Sequence, residues 1–200
     1  MSRIDETLAM DRRRFLRAAV AGGALLVAGG SLAIPRLFAA DNTPVGKPGN
    51  VLLEIFADDG RDLGPRQVPR LVLSDAQWRQ RLSPAAFEVM RRDGTERAFS
   101  GEHEKPAHAG LFRCAACATA LYDAATEFDS GTGWPSFWQP IAARNLIQNR
   151  DNSFGMDRTA ISCAGCGSHL GHVFDDGPQP TGLRYCMNSV ALRFVARTTG

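Results

Sequence analysis

Cysteine spacing limits this chain more than any other feature. Cys114-Ala-Ala-Cys117 and Cys163-Ala-Gly-Cys166 are two C-x-x-C pairs far apart in a chain of 200 residues. Each pair sets two thiolates at the spacing of a tight turn, where both sulfurs can reach one ion while turn amides donate hydrogen bonds to them. Gly167, just past the second pair, supplies the relaxed backbone such a knuckle needs. Together the four thiolates form a closed tetrahedral set, which structural zinc prefers because no position stays open for chemistry. Two redox-active or disulfide-forming pairs are the rival reading, which an oxidising compartment favours somewhat. Metal binding outweighs it, because distant knuckles tie two segments of a small domain together and the ion supplies that folding energy directly. One structural Zn²⁺ on Cys114, Cys117, Cys163 and Cys166 is therefore expected. That leaves Cys186 as the odd thiol among five cysteines.

A hydrophobic content of 44% and a charged content of 22% describe one globular domain plus an extension. The formal net charge is +2. Residues 1–40 hold six arginines against Asp5, Glu6 and Asp11, so the segment carries +3 and the remainder −1. A near-neutral body argues against nucleic acid as a partner, since such binding needs a basic surface that displaces counterions.

The extension reads as a leader. Asp11-Arg12-Arg13-Arg14-Phe15-Leu16-Arg17 precedes a weakly hydrophobic, Gly/Ala-rich run from Ala18 to Ile34, then Pro35 and the small pair Ala39-Ala40. This resembles a twin-arginine export signal, of the type that carries folded proteins across the bacterial inner membrane. A membrane anchor is the alternative, but glycines and Ser31 make the run a poor spanning helix. Cleavage is expected near Ala40, although Phe38 is bulky for a position where a small residue is usual. The expectation is a signal peptide over 1–40, the twin-arginine export machinery as partner, and a periplasmic mature protein.

Residues 41–70 hold Pro44, Pro48, Pro65 and Pro69 and read as a linker with one strand near Val51–Phe56. Two short helices are expected next. Ser74 with Gln77 forms a capping-box pattern, Ser83-Pro84 places a capping hydroxyl before a proline suited to the first helical turn, and Gly94 is a natural stop. From Phe99 onward glycine and proline recur, the apolar stretches are short, and Val190–Phe194 alternates with period two, so residues 71–200 are expected to form a β-rich domain.

Cys186 lies in Leu183-Arg184-Tyr185-Cys186-Met187-Asn188. Apolar residues fall on odd positions before it and on even ones from Val190, so a bulge or bend is expected around Cys186, of the kind that re-aims a side chain. Arg184 shares a face with Cys186 in an extended segment and is placed to stabilise a thiolate, while Asn188 is placed to touch substrate. Alone, Cys186 reads better as a buried, inert cysteine. His169 and His172 shift the balance: the four-cysteine set leaves no room for them on the metal, so proton transfer to a substrate oxygen is the economical role. Gly131-Thr132-Gly133-Trp134-Pro135 is a glycine-rich turn into a rigid aromatic segment. Trp134 reads as the wall of an apolar pocket and Trp138 as a core residue.

Gly133-Trp-Pro-Ser-Phe137, His169-Leu-Gly-His-Val-Phe174 and Arg184-Tyr-Cys-Met-Asn188, framed by the cysteine pairs, resemble the B-type methionine sulfoxide reductases. Gly94-Thr-Glu96 and Phe99-Ser-Gly101 also match, so the resemblance covers about Ser74 to Val195. It implies a mainly β fold of two antiparallel sheets of short strands, with short N-terminal helices and a Cys₄ zinc site. It also implies reduction of the R epimer of methionine sulfoxide. Cys186 is then the nucleophile and Arg184 helps activate it; Trp134 holds the methyl group, and His169, His172 and Asn188 surround the polar side. Many members carry a resolving cysteine two residues before the pocket tryptophan, where this chain has Thr132. A sulfenic acid at Cys186 must then be reduced by an external thiol, thioredoxin-like or other, or by a zinc ligand at the expense of the metal site.

Two other function classes fit some of these residues. In a non-enzymatic zinc ribbon, Cys186 and the histidines would be structural. A cysteine hydrolase would use Cys186, His172 and Asn188. Dispersed motifs and a near-neutral body weigh against the ribbon, and turnover of a methionine sulfoxide peptide with a dithiol separates the reductase from both.

Overall fold

The computed structural model describes residues 48–102 and 109–197. The leader over 1–40 and its cleavage site lie outside the described residues. Among the described residues every strand pairing is antiparallel. Strands β1 (Asn50–Phe56) and β2 (Asp62–Pro69) form a hairpin, and helices α1 (Asp75–Arg81) and α2 (Pro84–Arg92) follow. A three-stranded sheet, in the order β11-β3-β4, is built from β3 (Gly110–Cys114), β4 (Ala120–Asp123) and β11 (Leu192–Ala196). The remaining strands are β5 (Glu127–Phe128), β6 (Ser136–Phe137), β7 (Leu146–Asp151), β8 (Arg158–Cys163), β9 (His169–Phe174) and β10 (Arg184–Met187). They form a six-stranded sheet in the order β5-β6-β10-β9-β8-β7.

The helices start where their capping residues stand. The Ser74 side chain accepts from the Gln77 amide while the Gln77 side chain accepts from the Ser74 amide, a reciprocal box that satisfies two otherwise unpaired donors. Ser83 accepts from the Ala86 amide at 3.2 Å, with Pro84 opening α2. Phe87, Met90, Ala86 and Val89 form one buried face of α2, at helical spacing. The stop differs from expectation by one residue: Asp93, not Gly94, takes the left-handed conformation (φ 54°). Aspartate tolerates this region because its short polar side chain bonds locally.

Aromatic side chains join the two large sheets. Tyr122 of β4 stacks on Phe137 of β6 with centroids 4.3 Å apart, and Phe112 of β3 meets the same ring edge-on at 5.0 Å. The Tyr122 hydroxyl is buried with them and donates to Met187 Sδ at 3.1 Å, so its polar atom is not left unpaired. Trp78 is fully buried in this core, whereas Trp138, read as a core residue, is only half-buried.

The segment read as a linker with one strand carries two. Its hairpin is held to the β domain by Asn145, which is wholly buried. The Asn145 amide donates to the carbonyls of Glu54 and Ala120, each at 2.9 Å, and its Oδ1 accepts from the Glu54 amide at 2.9 Å. One side chain thus satisfies backbone groups on β1 and at the start of β4. Sequence gave no hint of this, because the partners lie 91 and 25 residues away.

Asn145→Ala removes the partner of three backbone groups, two on Glu54 and one on Ala120. It is expected to cost about 2–4 kcal/mol of stability, read as a drop in the denaturant midpoint at unchanged slope. A midpoint within error of the parent would show that the hairpin is held by something else.

Candidate active site and candidate metal centre

Each C-x-x-C pair closes a hairpin. Cys114 ends β3 and Cys163 ends β8, so the two knuckles come from different sheets. The first is closed by the Ala118 amide donating to the Cys114 carbonyl at 2.9 Å, and the second by the Gly167 amide donating to the Cys163 carbonyl at 2.7 Å. Both turns need a left-handed residue just after the second cysteine. Gly167 fills this place at φ 70° and Ala118 at φ 63°, where alanine is strained by roughly 1–2 kcal/mol.

The four sulfurs lie within 4.8 Å of one another. Cys114 Sγ is 3.7 Å from Cys166 Sγ, and Cys117 Sγ is 3.5 Å from Cys163 Sγ, both pairs running from one knuckle to the other. A tetrahedral ion with sulfur ligands at about 2.3 Å sets its ligands about 3.8 Å apart, so the cluster has the dimensions of a metal cage. Hydroxyls stand two residues past each pair: Thr119 Oγ1 lies 3.2 Å from Cys117 Sγ, and Ser168 Oγ 3.3 Å from Cys166 Sγ. Arg81 donates to the Ala116 carbonyl at 2.7 Å, so helix α1 braces the first knuckle.

Cys186 sits in the middle of the six-stranded sheet. It pairs with Ser136 of β6 on one side and with His172 of β9 on the other. Directly opposed residues share a face, so these three side chains leave the sheet together. Arg184, two residues earlier on β10, joins them. The expected bulge is not at Cys186, whose pairing is regular on both sides. The change of phase comes from a 3-10 turn at Ser189–Ala191, where the chain crosses from one sheet to the other. A bulge does occur on β9: its pairing with β8 jumps from Gly171 to His169. His169 and His172, three residues apart, would otherwise point to opposite faces. The extra residue returns both to one face, with ring centroids 5.2 Å apart. Gly171 permits this, since a Cβ there would stand 2.1 Å from the Cys186 carbonyl oxygen.

Electrostatics at Cys186 oppose one another. Burial pushes its thiol above the ordinary cysteine range, while the Arg184 guanidinium and contacts from Thr132 and Ser136 pull it down. Arg184 is itself held by a two-pronged bond to Asp176, both distances 2.8 Å, and lies 4.5 Å above the Phe174 ring. Burial, and then the neighbouring His172, push His169 below the ordinary histidine range; its Nε2 is buried without a hydrogen-bond partner. His172 Nε2 lies 2.7 Å from Asp151 Oδ2. The same oxygen accepts from Arg158 at 2.7 Å, and Asp151 Oδ1 accepts from the Ser153 amide at 2.9 Å. Ser153 and then His172 hold the Asp151 carboxyl well below the usual carboxylate range.

Trp134 is half-buried, its indole N–H donating to the Glu96 carbonyl at 3.2 Å. Asn188 is buried, and its amide is used on backbone: Oδ1 accepts from the Glu96 amide at 2.9 Å and Nδ2 donates to the Leu170 carbonyl at 3.0 Å. The Glu96 carboxylate in turn accepts from the Ser189 and Val190 amides at the start of the 3-10 turn. Glu96 therefore fastens the Trp134 turn to the strand that carries Cys186. Glu96, Asp151, Asp176 and Ser136 were not singled out as site residues. Glu96 and Ser136 lie inside quoted motifs and Asp176 stands just past one, but Asp151 reaches His172 from two strands away and leaves no local signal. A separate cleft of about 310 Å³ lies between the hairpin and the first knuckle, lined by Leu53, Phe56, Val68, Arg113 and Cys117. Cys186 does not line it.

Known proteins resemble the chain over this same region. The family model for the SelR domain matches residues 82–196. Peptide methionine sulfoxide reductase MsrB of Agrobacterium fabrum is 48% identical over 126 residues, which cover 63% of this chain and 93% of that protein. The protein of the same name from Bradyrhizobium diazoefficiens is 52% identical over 124 residues, 62% of this chain and 89% of its own length. One from Pseudomonas putida is 53% identical over 116 residues, 58% of this chain and 88% of its own length. With a match across more than half of its length, and with the paired knuckles and the Cys186 strand inside that match, the chain belongs to the SelR-domain family of peptide methionine sulfoxide reductases.

Proposed function

We propose that the chain reduces the R epimer of methionine sulfoxide, free or in proteins, to methionine, with Cys186 as nucleophile. The observation that carries the reading is the single sheet face on which Cys186, His172 and Ser136 stand in register with Arg184 beside them. The Cys186 thiolate attacks the sulfoxide sulfur. A proton moves to the sulfoxide oxygen, and that oxygen passes from the methionine sulfur to the Cys186 sulfur as the bond between the two sulfurs breaks, so methionine leaves and Cys186 becomes a sulfenic acid. His172 is the acid, and Asp151 orients its ring through the bond at Nε2. His169, neutral and beside it, completes the polar wall. Arg184 favours the thiolate. Trp134 receives the methyl group, and Asn188 acts by holding the Glu96 segment, and with it Trp134, against β10. Two equivalents of an external thiol then convert the sulfenic acid to thiol and water, leaving as a disulfide. Among the described residues the four other cysteines make up the metal cluster.

The ion is zinc in this reading, held by Cys114, Cys117, Cys163 and Cys166; it supplies folding energy and takes no part in the reaction. The export signal over 1–40 places the mature protein in the periplasm through the twin-arginine machinery. Folded export suits a chain that acquires its metal before crossing a membrane.

Three outcomes follow. Metal analysis of the purified protein is expected to find one zinc per chain. Zinc binding to such cages is worth roughly 10–16 kcal/mol, as large as or larger than the net stability of a whole domain, about 5–15 kcal/mol. Chelation should accordingly abolish the folded circular-dichroism signal; an intact signal after complete metal removal would refute a folding role.

Cys186→Ser is expected to lose reductase turnover on a methionine-R-sulfoxide peptide by more than about a thousandfold while retaining zinc and the melting temperature. Turnover near the parent rate would end the assignment of the nucleophile.

The third outcome concerns pH. Because burial raises the Cys186 thiol above the ordinary range, its alkylation rate should climb with pH through and beyond that range. Arg184→Gln removes a group that favours the thiolate, so the midpoint should move further up and alkylation at pH 7 should slow about tenfold. A midpoint that stays in place or falls would remove Arg184 from this role.

A further inference from the structure

The β1–β2 hairpin reaches both cysteine knuckles. Arg113, the residue before Cys114, donates from Nη2 to the Phe56 carbonyl at 2.8 Å, pairs with Asp58 at 2.8 Å, and donates from Nη1 to the Ala118 carbonyl at 3.2 Å. One guanidinium thereby ties the end of β1 to the strained turn of the first knuckle. The Leu71 amide, two residues past β2, donates to the Gly165 carbonyl inside the second knuckle at 2.9 Å. Between these anchors the two knuckles meet at Gly165. A Cβ there would stand 2.4 Å from Thr119 Oγ1, 3.2 Å from Cys117 Sγ and 3.4 Å from Leu53 Cδ1, so the buried Leu53 of β1 lies over the junction. The SelR match begins at residue 82, and the whole hairpin precedes it.

Three of the four cluster thiols, Cys114, Cys163 and Cys166, are buried, and Cys117 is the partly exposed one. Cys117 is also the one cysteine that lines the cleft of about 310 Å³, together with Leu53, Phe56 and Val68 of the hairpin. Four thiolates around one ion leave no open position, so an incoming ligand takes the ion only by displacing a thiolate. Displacement needs a sulfur within reach and room for the incoming group, and of the four thiols Cys117 has both. A donor atom of the incoming group bonds to the ion as the Cys117 sulfur leaves it. The freed thiolate takes a proton from water, and nothing is oxidised or reduced.

We propose that the β1–β2 hairpin is the cover of the metal cluster and that the cleft beneath it is the path of metal exchange, with Cys117 the first ligand displaced. Leu53 and Val68 set the width of the path, while Arg113 and the Leu71 amide hold the cover to the knuckles. The hairpin thus governs how fast the ion is gained and lost, and not how substrate reacts. The inference rests on the reading of the cluster as a zinc site.

The test uses the zinc-loaded full chain and its variants Leu53→Ala, Val68→Phe and Leu63→Ala. Transfer of zinc to the chromogenic chelator pyridylazoresorcinol is followed by absorbance. Leu53→Ala is expected to speed transfer about tenfold, since truncating a buried leucine leaves a cavity over the junction. Val68→Phe fills the cleft and should slow transfer severalfold. A loosened fold only speeds release, so the opposite signs of these two variants separate a path through the cleft from a loss of stability. Leu63→Ala, exposed on the same hairpin and outside the cleft, should leave the rate unchanged. With limiting N-ethylmaleimide, mass spectrometry should find Cys117 labelled first among the four cluster cysteines, in step with zinc release. Transfer that Val68→Phe leaves unchanged or speeds, or a buried cluster thiol labelled before Cys117, overturns the proposal. A protein that purifies without zinc overturns the zinc reading instead, and the labelling order of the four thiols, with its response to Val68→Phe, still judges the cover.

Discussion

The four-cysteine cluster joins what the strands do not. Cys114 and Cys117 hang from the three-stranded sheet, Cys163 and Cys166 from the six-stranded sheet, and their sulfurs meet within 4.8 Å. Four thiols held this close are unfavourable neighbours once ionised, so only a shared cation makes the arrangement a stabilising one. With the cluster closed, β8 and β9 are tethered at the knuckle, and the bulge on β9 follows directly after it. That bulge brings His169 and His172 to the face that carries Cys186. The four-cysteine cluster and the Cys186 face are thus joined through β9.

The reacting thiol stands between two opposing influences. Burial disfavours its charged form, whereas Arg184 and the neighbouring hydroxyls favour it. Burial is the larger of the two, so the thiol stays above the ordinary cysteine range. Substrate binding excludes water further, which strengthens Arg184's effect on the thiolate as the local dielectric falls. His172 is held in the same manner, with Asp151 fixing one ring nitrogen and Arg158 and Ser153 fixing Asp151.

Helix α1, helix α2 and both knuckles were legible because their signals are local. A capping serine needs a partner three residues on, and a knuckle needs two cysteines and a left-handed residue after them. Cys186, His169, His172, Arg184 and Trp134 were legible through motifs of five or six residues whose side chains share one strand or turn. The phase change before β11 was legible too, but its cause was not. Periodicity reports that alternation slips, and cannot separate a bulge at Cys186 from a 3-10 turn at Ser189–Ala191.

Residue type and short spacing determined the four-cysteine cluster, the β-rich character and the odd thiol Cys186. The antiparallel sheets, and Thr132 at the place of a resolving cysteine, followed from the family resemblance. Tertiary structure decided which distant groups these residues meet. Asp151 is 21 residues from His172, Glu96 is 92 from Asn188, and Asn145 is 91 from Glu54. Such partners are chosen by strand order and by which side chains a buried backbone or ring nitrogen finds within about 3 Å. A chain's local pattern fixes its elements and their faces, but the cost of leaving a buried polar group unpaired is settled only after those faces have packed.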